Sequence, residues 1–113
     1  MQFGVISTAN IADKAVVPAI RDSDHDVRAI ASRSPDAAAD FADHHGIPET
    51  YDSYEALLDA DVDAVYNPLP NALHAEWTKR AADAGLHVLC EKPLASDAEE
   101  AVEVVEHCAD AGV

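Results

Sequence analysis

The chain predicts an α/β domain, a doubly wound parallel sheet with helices on both faces, and three observations carry that prediction. Phe3 to Ile6, Val27 to Ala31, Val62 to Tyr66 and Val88 to Cys90 are apolar runs too short for helices and too continuous for strands with one wet face. Small, polar or proline-containing residues follow each run and lead into a helical pattern, several of which close in glycine. Strand and helix signals therefore alternate, with crossovers long enough for right-handed parallel pairing.

Taken in order, the first strand gives way to a turn and then to a helix starting near Asn10. The first N–H groups of such a helix have no intrahelical partners and its dipole adds partial positive charge, so the turn suits a phosphate. The dinucleotide fingerprint puts glycine at three positions of this turn, which here hold Ser7, Ala9 and Ala12. Small side chains keep the clearance but lack glycine's freedom to take positive φ. Alone, the stretch reads equally as a dinucleotide cradle or as an ordinary strand-to-helix connection. The helix over Ile11 to Ile20 is expected to end or kink before Pro18.

After the second strand, Ser34 suits an N-cap and Pro35 a first helical position, predicting a helix over Pro35 to His45 with Gly46 past its end. An acid after this strand binds a ribose 2'-hydroxyl, whereas an arginine accommodates a 2'-phosphate. Arg33 therefore favours NADP over NAD, with the hydroxyls of Ser32 and Ser34 as further donors. The competing reading is a surface arginine paired with a nearby acid.

Ile47 to Tyr51 predicts a short strand, and Ser53 caps a helix through Leu58. The strand ending at Tyr66 runs into Asn67 to Asn71, where two prolines keep the loop extended. A helix follows over Leu73 to Ala84, ending at Gly85. His74 begins it, placed either to hydrogen-bond a ligand or to pack locally. The last clear strand delivers Glu91, Lys92 and Pro93, and Ser96 with Glu99 predicts a capping box for a helix over Asp97 to Ala111, closed by Gly112. All four chemically suggestive segments fall at the carboxyl ends of strands, where such sheets bind ligands.

The 113 residues suffice for one domain with a real core. No apolar run is long enough to cross a membrane, and Met1 leads directly into the first strand, so the expectation is a cytoplasmic domain. Cys90 and Cys108 are too few for a disulfide framework, and Cys90 reads as a buried small hydrophobe. Against 7 Lys plus Arg stand 22 Asp plus Glu, a formal net charge of −15. Nucleic acid and anionic membrane are poor partners for that surface, and its spread of acids suits high salt. His44 with His45, and His107, read as solvated helix positions, and no metal site is expected.

With these segments in place, the chain resembles the Gfo/Idh/MocA oxidoreductases over essentially all its length. The most specific parts are Gly85 to Pro93, reading Gly-Leu-His-Val-Leu-Cys-Glu-Lys-Pro, and the loop from Leu69 to His74. The resemblance implies a Rossmann sheet of order 3-2-1-4-5 with its sixth strand truncated. Ser7 to Ala12 in place of the glycines is similar to the branch holding D-xylose 1-dehydrogenases and dimeric dihydrodiol dehydrogenases, and the acidity suggests a haloarchaeal source. It implies that Ser7, Thr8, Ala9, Asn10 and Ile11 cradle the pyrophosphate and that Ser32, Arg33 and Ser34 hold the 2'-phosphate. Leu69, Pro70, Asn71 and His74 would line the nicotinamide side, Glu91 would lie near the nicotinamide ribose, and Pro93 would fix the turn. Lys92 matches the family's catalytic lysine, whose ammonium stabilises charge developing on a substrate oxygen.

The implied activity is hydride transfer from a sugar hydroxyl to NADP, with D-xylose oxidised at C1 to the lactone as the leading expectation. Another family member acting on inositol, a sugar acid or a dihydrodiol, and a non-catalytic NAD(P)-sensing regulator, are the alternatives. Family members carry a second, substrate-binding domain through which they commonly form homo-oligomers. The chain stops at Gly112 and Val113, where a sixth strand should begin, so the expectation is an N-terminal fragment, inactive alone.

Overall fold

A computed structural model describes residues 1–9, 11–91 and 97–113, with residue 71 described by its backbone. Five parallel strands form one sheet: β1 (Gln2–Ile6), β2 (Asp26–Ala31), β3 (Glu49–Tyr51), β4 (Ala64–Asn67) and β5 (His87–Cys90). Their spatial order is 3-2-1-4-5, the predicted one, with β1 at the centre. Ile6 pairs with Ala31 and Val5 with Tyr66, so the carboxyl ends of β2, β1 and β4 finish side by side.

Alternation along the strands feeds two cores, because successive side chains leave a strand on opposite faces. Val5, Ile30 and Tyr66 pack against Ala12, Val17 and Ile20 and against Phe41 and Ala42 of α2 (Pro35–His45). Ile6, Ala29, Ala31 and Val65 pack on the other face against Leu57 of α3 (Tyr54–Leu58) and Trp77 and Ala81 of α4 (His74–Asp83). Helix α5 (Ala98–Ala111) lies beside α4 and buries Val104. Gly4 marks where β1 and α3 come closest: a Cβ there would stand 2.9 Å from Leu57 Cδ1.

Helix ends follow the local sequence. Ser34 Oγ accepts the Ala37 N–H and Ser53 Oγ the Ala56 N–H, as their positions before helical patterns predict. Gly46 closes α2 in the left-handed region at φ 67°.

The first helix, expected to end or kink before Pro18, does not end there; it changes type just before that residue, from a π turn over Ala12–Val16 to α1 (Val17–Arg21). The last bond of the π turn runs from the Val17 N–H to Ala12 O, and Pro18, which has no N–H, cannot carry that ladder one step further. Three other expectations are corrected. The cap of α5 is Asp97, whose Oδ1 accepts the Glu100 N–H at 2.8 Å, one residue beyond the expected Ser96; Ser96 itself lies outside the described residues. His45 is not solvated: it is 7% exposed, with Nε2 2.7 Å from Asp13 Oδ1. Cys90 is only half-buried, because one side of β5 pairs with no strand among the described residues. Leu89 beside it is likewise exposed.

Candidate functional site

The turn after β1 holds its shape although no glycine is present. Ser7 adopts φ 95°, a value L residues rarely take, and its N–H donates to Ala31 O at 2.8 Å, carrying the β1–β2 ladder one step past the strands. The backbone then passes through Thr8 and Ala9, whose carbonyl accepts the Asp13 N–H at 3.1 Å. Asn10 lies outside the described residues, and Ile11 is exposed at the start of the following helix.

Beside this turn, Ser32 Oγ accepts the Ser34 N–H at 3.1 Å while Ser34 Oγ caps α2. Both hydroxyls act as acceptors in these bonds, which leaves each O–H to donate to an incoming oxygen. Arg33 between them is exposed, and among the described residues no carboxylate pairs with it. Its guanidinium faces the ring of Tyr54, 6.0 Å from the centroid. Tyr54 is in turn fixed edge-on against Trp77, at 5.3 Å between centroids.

The loop after β4 forms the third wall. Asn67 is 0% exposed, and its amide donates to His74 O and to Thr78 Oγ1 at 3.2 Å each, while its Oδ1 accepts the Leu69 N–H at 3.3 Å. His74 is also buried, with Nε2 against Leu69 O. A carbonyl only accepts, so Nε2 carries the hydrogen and the ring supports the loop from beneath.

These three segments enclose one open cleft of about 360 Å³, lined by Ser7, Thr8, Ala9, Ser32, Arg33, Ser34, Tyr54, Leu69 and Pro70. It opens at the carboxyl ends of β1, β2 and β4, where the strand order turns from decreasing to increasing. A dinucleotide phosphate group fits this lining: turn backbone, hydroxyl donors and a cation with no carboxylate partner among the described residues.

Glu91 lies outside that cleft lining, at the end of β5, with its N–H on Asn67 O. Its carboxylate accepts the Tyr66 hydroxyl at 2.6 Å. Burial first, and then the bond to Glu91, push the Tyr66 phenol far above its ordinary range, so it stays a donor. Lys92 and Pro93 lie outside the described residues, as does the Asn71 side chain. Asn67, Tyr54 and Tyr66 were not among the expected site residues. An asparagine directly before a proline was the one available signal, since Asn readily bonds to backbone two residues on.

Comparison with known proteins agrees with this geometry. The Gfo/Idh/MocA profile, described as an oxidoreductase family with an NAD-binding Rossmann fold, matches residues 1–113. The chain therefore belongs to the Gfo/Idh/MocA oxidoreductase family and forms an NAD(P)-binding domain of it. It is 56% identical, over all of its length, to 35% of a D-xylose 1-dehydrogenase (NADP) from Haloferax volcanii. It is 36% identical over 110 residues to a trans-1,2-dihydrobenzene-1,2-diol dehydrogenase from Xenopus tropicalis, covering 92% of this chain and 32% of that protein. Among solved structures it superposes on KijD10, a 3-ketoreductase from Actinomadura kijaniata in complex with NADP and TDP-benzene. The TM-score is 0.96 at 44% identity, over 100% of this chain and 35% of that one. The chain thus spans about a third of the length of these relatives.

Proposed function

We propose that this chain binds NADP in the cleft and serves the oxidation of a sugar hydroxyl, with D-xylose at C1, giving the lactone, as the leading substrate. The observation that carries the reading is Arg33, a guanidinium between two serine hydroxyls that no carboxylate pairs with among the described residues, facing the same cleft as the turn after β1. The backbone of Ser7 to Ile11 holds the pyrophosphate. The fork of Arg33, with Ser32 and Ser34, holds the 2'-phosphate. Leu69, Pro70 and Asn71 flank the nicotinamide, on a loop that Asn67 and His74 hold in place. Glu91, oriented by Tyr66, lies at the nicotinamide ribose.

NADP, when bound, supplies the hydride acceptor. Lys92 follows Glu91 directly, and its ammonium stabilises the negative charge that grows on the substrate oxygen as the hydroxyl is oxidised. That lysine also counts against a non-catalytic nucleotide sensor. Reduction of a keto sugar is the second reading, favoured by the likeness to KijD10. Assays of the protein carrying this domain, with aldoses plus NADP and with keto sugars plus NADPH, separate the two.

Titration calorimetry with NADP and NAD in molar salt, alongside Arg33→Ala, tests the nucleotide assignment. Loss of the charged bonds should weaken NADP roughly tenfold to a hundredfold and leave NAD unchanged. Equal affinity of the parent chain for the two nucleotides would overturn the 2'-phosphate assignment.

A further inference from the structure

We infer that Asp13, His44 and His45 form a binding site for a divalent first-row transition ion of the zinc type. One imidazole nitrogen from each histidine and a carboxylate oxygen of Asp13 all lie within 4.8 Å of one another. The residues come from two elements: Asp13 from the π turn that follows the cleft, His44 and His45 from the last turn of α2. Two imidazoles and a carboxylate are the donors a borderline ion prefers over magnesium or calcium.

The cluster is partly set for ligation. His45 and Asp13 already stand at 2.7 Å, and the His45 ring is held by Phe41 at 4.6 Å between centroids. Its carbonyl accepts a bond from Arg21, which fixes the end of α2. With metal–ligand bonds of about 2.0–2.2 Å, tetrahedral ligand atoms stand roughly 3.3 Å apart. The buried pair therefore opens slightly, and the exposed His44 ring, edge-on to His45 at 4.7 Å between centroids, swings inward to complete the set. An ordinary hydrogen-bonded pair is complete with Asp13 and His45; His44 adds the third donor. The remaining coordination positions face solvent beside His44 and the half-exposed Asp13 carboxylate, where water fills them.

An ion here ties together the two helices that frame the nucleotide cleft. Asp13 is bonded through its N–H to Ala9 of the turn, and α2 begins at the Ser34 cap beside Arg33. The site lies apart from the cleft lining, so its role is a structural staple, testable with no nucleotide present.

Cobalt(II) is the probe, followed by its visible ligand-field absorption and displaced by zinc. One cobalt per chain should bind, an excess of magnesium should not compete, and zinc should raise the thermal midpoint. The acidic surface attracts any cation, so the variants decide. His44→Ala, at an exposed position, and Asp13→Asn should each weaken cobalt binding at least about tenfold while leaving the far-ultraviolet circular dichroism unchanged. Cobalt binding that either variant leaves intact, or that magnesium displaces, would overturn the site and leave an Asp–His pair on an acidic surface.

Discussion

Ser7 stands at φ 95° where the dinucleotide fingerprint has glycine, and its N–H still completes the bond to Ala31 O. Holding an L residue there costs about 1–3 kcal/mol, whereas glycine adds only about 0.4–1 kcal/mol of unfolded-chain entropy. Ser7→Gly should therefore raise the thermal midpoint by a few degrees, and Ser7→Val should lower it; differential scanning calorimetry reads both signs. Sequence reasoning could place the turn but not its conformation, because substituting glycine removes the propensity without removing the neighbours that impose the angle. Arg33 was legible for the opposite reason, since its meaning is local to the end of one strand. The Asp13–His45 pair spans 32 positions, and no spacing rule joins residues that far apart.

At the scale of elements, the loop after β4 depends on one buried side chain. Asn67 bonds to two partners in α4 and to the loop backbone, binding strand, loop and helix into a unit. Asn67→Ala strands those buried partners and should cost about 2–3 kcal/mol in denaturant unfolding. NADP affinity should fall with it, because Leu69 and Pro70 lose their anchor. Strands and helices were legible from apolar runs, caps and closing glycines, with bounds moving by about two residues. The π turn was not legible: proline signals a break, but whether the chain stops or widens there depends on Val17 and Ile20 already being packed on the sheet. The half-buried state of Cys90 was hidden too, since an apolar run reads the same at a sheet's edge as at its centre.

Across the whole molecule, the formal charge of −15 meets few cations. Arg28 and Arg80 pair with Glu49, Glu55 and Glu76, while Asp36, Asp40 and Asp43 on α2 and Glu99, Glu103 and Glu106 on α5 stand exposed. Screening contracts from about 10 Å at 0.1 M salt to about 3 Å at 1 M, which relieves repulsion among them. The thermal midpoint should therefore rise by several degrees between dilute buffer and molar potassium chloride, and a flat response would detach the acidity from salt tolerance. The central place of β1 also sets an order of birth. The strand made first waits for partners on both sides, and β2 with β3 leave the ribosome before β4 does. At about 5–20 residues per second, the stretch from Tyr51 to Asn67 takes roughly one to three seconds to synthesise. Through that interval Phe3 to Val5 present an open edge that, among the described strands, β4 closes, so nascent chains crowded on one messenger are exposed to mispairing at the same strand that later anchors the turn at Ser7.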